Sequence, residues 1–224
     1  PSSTRSTAPV ARAATTGTTN VGVGSTCFLN TDNVAGPWSW TIVSKPTGSN
    51  AALTNANTRH AFLVTDLAGQ YVVKEGSKAN ITINASKFIG METNCKLCHG
   101  TQFTSYAQTY HANKMKFHLD GTKGTSYRDY CLRCHTAGFD RTATAINDGF
   151  DDVMTSKGWS IPTTLKTGNF DALATELKNV ANIQCENCHG PGKDHMGSKQ
   201  KIAKSLSVDA CAACHRNQPT EWNL

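Results

Sequence analysis

The sequence predicts an N-terminal all-β domain followed by a longer region of coil and short helices. Two observations lead to this fold class. Short segments that alternate apolar and polar residues, separated by turn-forming residues, fill residues 28–90. Residues 91–224 contain few long apolar segments but repeat the pentapeptide Cys-x-x-Cys-His four times. Few apolar segments can bury only a little apolar surface. The second region therefore needs another source of buried apolar material.

The predicted strands of the first region are short and regularly spaced. They comprise residues 38–42, 61–64, 71–73 and 79–85, and turn-forming segments lie at residues 45–49 and 68–69. Strands at such intervals are typical of a β-sandwich, which we place at residues 27–90.

Two segments of this domain resemble immunoglobulin-like domains of the polycystic kidney disease type. One is Lys45-Pro46-Thr47-Gly48-Ser49 behind the tryptophans, and the other runs from Asp66 to Tyr71. The resemblance implies that Tyr71 is the corner tyrosine and that the domain is a binding or spacer module. Cys27 is the only cysteine of the region, so no disulfide can join the two sheets. We favour a buried free thiol for Cys27 over an intermolecular disulfide.

Residues 1–26 are rich in Ser, Thr, Ala and Gly. Such a composition does not form a core of its own. We therefore expect an extended docking arm that lies against folded protein, either its own chain or a neighbouring subunit.

The repeated pentapeptide is the attachment signature of c-type haem. Its two cysteines form thioethers with the haem vinyl groups, and the histidine behind them reaches the iron. A structural zinc site gives no reason for a histidine after every second cysteine. The sequence therefore predicts four covalently attached haem c groups in residues 91–224. The attachment cysteines and iron-ligating histidines are Cys95, Cys98 and His99; Cys131, Cys134 and His135; Cys185, Cys188 and His189; and Cys211, Cys214 and His215.

Four histidines lie outside the motifs, which is the number that four six-coordinate irons require. They are His60, His111, His118 and His195, and we expect bis-histidine ligation. Methionine is the competing axial ligand, and Met91, Met115, Met154 and Met196 are also four.

The positions of three spare histidines favour this role. His111 and His118 lie in residues 103–118, a run without Gly or Pro that predicts one helix with both imidazoles on one face, about 10 Å apart. This spacing suits two neighbouring haems. His195 follows a Gly-Pro-Gly turn behind the third motif, and the turn can direct it to an adjacent haem. Residues 169–183 predict a further amphipathic helix that leads into that motif.

A haem motif continued as Gly-Pro-Gly-x-x-His resembles the cytochrome c554-like group of multihaem cytochromes, over residues 91–224. This resemblance implies low-spin haems in van der Waals contact and electron transfer as the activity. The whole-chain plan is also similar to the subunits of extracellular tetrahaem nanowires of the outer-membrane cytochrome E type. Some relatives are enzymes with one open iron. The spare histidines here favour a protein that is not an enzyme, and a periplasmic redox enzyme for small nitrogen or sulfur oxyanions, or its electron donor, is the alternative.

His60 lies in the β-domain, away from the haem motifs. We expect it to ligate a terminal haem of an adjacent subunit, which predicts a homopolymer with head-to-tail contacts and an electron-conducting filament. Other partners are redox proteins or an extracellular electron acceptor.

Composition excludes two partner classes. The net charge of +6 comes from 22 basic and 16 acidic residues that are scattered along the chain, so we predict no nucleic-acid binding. No apolar run reaches the length of a membrane span. We expect an exported protein whose signal was removed ahead of Pro1, located outside the cell or at its surface, or alternatively in the periplasm.

Overall fold

The computed structural model describes residues 15–16 and 19–196, together with Ile202, Cys211, Cys214 and His215. The expected docking arm falls largely outside these residues, because only 15–16 and 19–26 of it are described.

Two four-stranded sheets form the N-terminal region. The strands are β1 (Thr15–Thr16), β2 (Asn20–Gly22), β3 (Thr26–Asn30), β4 (Trp40–Ser44), β5 (Leu53–Thr54), β6 (His60–Val64), β7 (Gly69–Glu75) and β8 (Ile81–Ser86). The first sheet has the order β1-β3-β6-β5, and the second has the order β2-β8-β7-β4. All pairs are antiparallel except the parallel pair of β2 with β8.

One apolar core lies between the two sheets. Leu29 and Leu63 of the first sheet and Tyr71, Val73 and Ile83 of the second are fully buried in it. Burial of each such side chain contributes about 1.5–3 kcal/mol. The alternation of buried and exposed positions along β6 and β7 explains why the sequence pattern predicted these strands. β3 shows the same alternation but was not predicted.

The turn before β7 is fixed by hydrogen bonds to the Tyr71 hydroxyl. This hydroxyl donates to Asp66 (2.8 Å) and accepts from the Leu67 amide (2.9 Å). Asp66 also accepts from Ser49 Oγ and from the Asn50 amide, both at 2.6 Å. The expected corner role of Tyr71 agrees with these bonds.

The sandwich begins earlier in the chain than residue 27. β1 pairs with β3, and β2 pairs with β8, so part of the expected arm lies against its own chain. Cys27 is buried in the core, where burial raises the pKa of its thiol to about 12.

The remainder of the described chain consists of short helices joined by turns. A π-helical turn (Met91–Cys95) and a 3₁₀ turn (His111–Asn113) accompany α1 (Lys96–Cys98), α2 (Gly100–Ala107), α3 (Lys114–Leu119), α4 (Asp129–His135), α5 (Phe150–Ser156), α6 (Thr175–Val180) and α7 (Cys185–His189).

Both long helices expected from the sequence are shorter in the structure. The run 103–118 is interrupted between α2 and the 3₁₀ turn, and the run 169–183 is helical only in α6. At the first interruption the His111 carbonyl accepts from the Ile183 amide (3.2 Å). The Asn182 side chain caps α3 by accepting from the amides of Met115 (2.8 Å) and Lys116 (3.3 Å). Partners distant in sequence thus replace local helical bonds.

The helical region has a small apolar core of its own, which the sparse apolar segments did not predict. Met115, Leu119, Leu132 and Phe150 are fully buried in it. Hydrogen bonds also join this region to the sandwich, and Asn147 Nδ2 donates to the Val23 carbonyl at 3.1 Å.

Candidate functional site

The first Cys-x-x-Cys-His motif lies on a tight helical segment. The π-helical turn Met91–Cys95 continues into α1 and ends at His99. Asn179 fixes the start of this segment, since its side chain accepts from the Thr93 amide (3.0 Å) and donates to the Ile89 carbonyl (2.7 Å). Both cysteines and the histidine are therefore held within two short turns.

The second motif occupies α4. Cys131, Cys134 and His135 lie on this helix, and Leu132 at a variable position of the motif is fully buried in the apolar core. The Thr136 hydroxyl donates to the Leu132 carbonyl at 2.6 Å. The core thus anchors the helix that carries the motif.

The third motif forms α7, and specific contacts fix the backbone at both ends of this helix. At the start of the helix, the Asn187 side chain accepts from the backbone amide of Gln184 at 2.8 Å. Behind the motif, Gly190 has φ of 77°, and a Cβ there would lie 2.4 Å from the Asn20 carbonyl oxygen. Only glycine fits this turn.

The fourth motif is described at Cys211, Cys214 and His215. The amides of Cys214 and His215 donate to the Cys211 carbonyl oxygen at 3.1 and 2.9 Å. The backbone therefore turns here as it does in the other motifs.

Three motif histidines face three of the spare histidines. The ring centroids are 6.1 Å apart for His99 and His195, 6.2 Å apart for His215 and His111, and 5.0 Å apart for His135 and His118. Three of the four spare histidines therefore lie close to a motif histidine of the same chain. His111 and His118 face histidines of different motifs, although not from one continuous helix.

The spacing of two of these pairs fits a bis-histidine iron. A metal between two imidazole nitrogens, each about 2.0 Å away, sets the ring centroids about 6 Å apart. The His99–His195 and His215–His111 pairs have this spacing, whereas the His135–His118 pair is closer, at 5.0 Å. The Nδ1 atoms of His118 and His135 are buried, and neither has a hydrogen-bond partner. Burial lowers the pKa of His135 to about 4 and also lowers the pKa of His118 and His111. These imidazoles are therefore neutral at neutral pH, which is the form that binds metal.

Attachment cysteines from different motifs also approach one another. The Cys95 and Cys185 thiols interact with each other, which raises the pKa of Cys95 and lowers that of Cys185. Burial raises the pKa of Cys214 to about 12, and the neighbouring Cys134 adds to this rise. Burial likewise raises the pKa of Cys188, with Cys211 as the second cause. Thiols of the first and third, the third and fourth, and the fourth and second motifs are therefore near enough for one to change the pKa of the other.

His60 lies on the outer face of the first sheet. It is exposed at the start of β6, opposite Asn30 of β3. Two residues along the same face, Phe62 packs edge-on against Phe28, with ring centroids 5.2 Å apart and Phe28 67% exposed. In the part of the chain that the structure describes, the His60 ring contacts no other ring.

Two residues with buried polar groups were missed by the sequence reasoning. Tyr127 is 6% exposed, lies 5.4 Å from His118 and 5.5 Å from His135 between ring centroids, and has a buried hydroxyl without a partner. Glu186 is 2% exposed and accepts three backbone hydrogen bonds. The pentapeptide pattern leaves its inner positions undefined, so no sequence signal identified Glu186.

The four methionines lie in different surroundings. Met91 and Met115 are buried, Met154 packs against the apolar core of the helical region, and Met196 is 44% exposed. Within the described residues, no group of three or more Cys, His, Asp or Glu lies close enough to hold a metal ion. None of the helices described is both long and apolar enough to cross a membrane.

Comparison with known proteins gives one family match. Residues 94–156, which contain the first two motifs, match the family described as cytochrome c554 and c-prime. No curated protein and no solved structure gave a significant match to the chain. The family match supports a c-type multihaem cytochrome with covalently bound haem c.

Proposed function

We propose that this multihaem c-type cytochrome transfers electrons through four bis-histidine haems and polymerises head to tail into an extracellular conducting filament. The proposal rests mainly on one observation: motif histidines lie opposite spare histidines within the chain. An iron with an imidazole on each side has no position left for a substrate, so it exchanges electrons without binding one. When bound, each haem supplies an iron that changes between the ferric and ferrous states one electron at a time.

The chain's own residues hold and insulate the electron path. Four cysteine pairs attach the haems, and His99, His135, His189 and His215 provide the first axial ligand of each. The influence of Cys185 on the pKa of Cys95, of Cys211 on that of Cys188 and of Cys134 on that of Cys214 supports close packing of the haems that these motifs carry. Caps and buried side chains such as Leu132 keep these segments in place and exclude water.

The outer face of the first sheet supports the polymer. His60 lies there beside the exposed Phe28 and the packed Phe62, so a metal-binding nitrogen and an aromatic surface occupy one face. The other three spare histidines face motif histidines within the chain. We assign His60 as a ligand that would hold a haem of an adjacent subunit, and the aromatic pair offers that subunit an apolar surface. Such a contact joins two different surfaces and extends into an open helical filament.

The assignment of His60 to a neighbouring subunit also implies where the protein functions and which partners it has. A filament of this kind functions outside the cell or at its surface, where its partners are further copies of the chain, other redox proteins and an extracellular electron acceptor. Retention in the periplasm as a redox enzyme for nitrogen or sulfur oxyanions, or as its electron donor, is the competing function.

Electron paramagnetic resonance of the intact haem-loaded protein separates these functions. Only low-spin iron, unchanged by nitrite or hydroxylamine, is the result expected for the conduit. A high-spin signal that responds to either compound supports the enzyme and overturns the proposal. Electron microscopy of the same sample tests polymerisation, since the proposal requires filaments rather than separate particles.

A further inference from the structure

Glu186 is a buried carboxylate inside the third motif. Its Oε1 accepts from the amides of Ile89 (3.0 Å) and Gly192 (2.8 Å), and its Oε2 accepts from the amide of Gly90 (2.8 Å). The residue is 2% exposed. Within the described residues, no lysine or arginine forms an ion pair with it. Three amide donors therefore stabilise the carboxylate in place of a positively charged side chain.

The three donors belong to the two neighbouring motif segments. Ile89 and Gly90 immediately precede the turn that carries the first motif. Gly192 lies in the turn behind the third motif, and its carbonyl accepts from the His195 amide at 3.0 Å. One carboxylate is thus bonded to the entry of the first motif and to the turn that presents His195 to His99.

Glu186 also places a negative charge between two attachment sites. It follows Cys185 directly, and its charge is one of the causes that raise the pKa of Cys95, after the hydrogen bond to Cys185 and burial. Burial raises the pKa of Glu186 itself, while the three amide bonds oppose this rise. A carboxylate can only accept hydrogen bonds, so the three amide donors match and favour its charged form. A charge in such a low-dielectric site acts strongly on its neighbours.

We propose that Glu186 is a positioning residue for the first and third haem sites, and that its buried charge lowers their reduction potentials relative to the other two. The negative charge stabilises the ferric iron, which carries one more positive charge than the ferrous iron. Its hydrogen bond to Gly192 holds the turn that directs His195 to His99. This inference rests on the proposed haem function.

The test compares Glu186→Gln, Glu186→Asp and Glu186→Ala in the full-length haem-loaded protein. The control is Glu92→Gln, because Glu92 is an exposed carboxylate of the first motif segment whose pair with Lys96 is screened by solvent. Haem content, electron paramagnetic resonance and a spectroelectrochemical titration are measured for each. In Glu186→Gln we expect four low-spin haems and a tenfold shift of two of the four reduction equilibria towards ferrous iron, which is about 59 mV for one electron.

The other variants separate charge from position. Glu186→Asp keeps the charge and is expected to leave the potentials near those of the wild type. Glu186→Ala frees three amides and is expected to give one high-spin iron, because His195 is no longer held. Potentials in Glu186→Gln that match the Glu92→Gln control overturn the electrostatic role. A fully low-spin Glu186→Ala protein overturns the positioning role, and loss of haem from both Glu186→Gln and Glu186→Asp overturns the proposal as a whole. Absence of haem from the wild-type protein would instead contradict the proposed function.

Discussion

His118 faces His135 with ring centroids 5.0 Å apart and ring planes at 25°. His118 lies on α3 and His135 ends α4, so two helices bring together one spare histidine and one motif histidine. Both Nδ1 atoms are buried without a partner. A buried polar atom without a partner is costly, and two of them at one place indicate a site that binds another group.

His118→Ala and His111→Ala are each expected to leave one iron five-coordinate while all four haems stay attached. The thioethers come from the cysteines, so loss of a distal imidazole changes coordination and not attachment. A high-spin signal from one haem in four, measured by electron paramagnetic resonance, is the expected result.

Met115→Leu is the matched control for His118→Ala, because Met115 is a fully buried residue of the same helix and is the competing type of ligand. The volume of the core is nearly conserved in this variant, and its spectrum is expected to stay low-spin. A high-spin iron in Met115→Leu, or an unchanged spectrum in His118→Ala, contradicts the ligand assignment.

Tyr127 is expected to stabilise the second motif through its ring rather than through its hydroxyl. Its ring lies against both His118 and His135, whereas its hydroxyl has no partner. Tyr127→Ala is expected to lower the free energy of unfolding by about 3–5 kcal/mol. Tyr127→Phe is expected to change it by less than about 1 kcal/mol, since no hydrogen bond is lost. Denaturant unfolding of the haem-loaded variants measures both, and a large loss in Tyr127→Phe indicates that the hydroxyl bonds a haem carboxylate.

The attachment residues could be read from the sequence because covalent haem chemistry fixes their spacing. Cysteines two residues apart with a histidine behind them serve a local requirement, and a local pattern is visible in a linear sequence. The strands were predicted for a similar reason, since alternation along β6 and β7 directly reflects one buried face.

The helix and sandwich bounds that the sequence predicted wrongly depend on contacts between residues that are distant in sequence. No local signal ends a helix after Ala107, yet the run is interrupted there. Beyond the interruption, the Ile183 amide donates to the His111 carbonyl, and the Asn182 side chain accepts from the Met115 amide. The second expected helix ends at Val180, where Ala181 takes an extended conformation, and Asn182 follows in the left-handed region with φ of 64°. The sandwich likewise begins before residue 27, because β2 finds its partner β8 about sixty residues along the chain, a pairing that no local pattern predicts.

Asp66 is expected to make the β-domain sensitive to acid. Burial alone raises its pKa, but hydrogen bonds from Ser49, Tyr71 and Asn50 outweigh this and lower the pKa to about 2. The unfolded pKa is about 3.9. The contribution of Asp66 is therefore complete above about pH 4 and is lost as the pH falls towards 2.

Asp66→Asn tests this contribution by thermal melts followed through the β-strand circular dichroism signal. We expect lower stability than the wild type at pH 7 and a smaller difference between the two proteins near pH 2. Asp171→Asn is the control, because the Asp171 side chain is 72% exposed outside the β-domain. A stability difference between Asp66→Asn and the wild type that stays constant with pH contradicts the role of the ionised carboxylate.

His60 is expected to hold neighbouring subunits together through iron. It is exposed on the outer face of the first sheet, in the β-domain rather than among the haem motifs. His60→Ala should therefore give monomers or short oligomers with four covalent haems, one of which is high-spin. Free imidazole added to this variant should restore low-spin iron without restoring filaments. It can bind the iron in place of His60, but it is not attached to a neighbouring subunit and so cannot hold two subunits together.

Asn30→Ala is the matched control for His60→Ala. Asn30 lies directly across the strand pair from His60 and is also exposed, but it offers no imidazole to an iron. This variant is expected to form filaments of normal length, as seen by electron microscopy, with low-spin iron throughout. Phe28→Ser removes apolar packing on the same face, and we expect shorter filaments whose iron stays low-spin within each junction. If His60→Ala still forms long filaments with only low-spin iron, His60 is an ordinary surface residue and another group links the subunits.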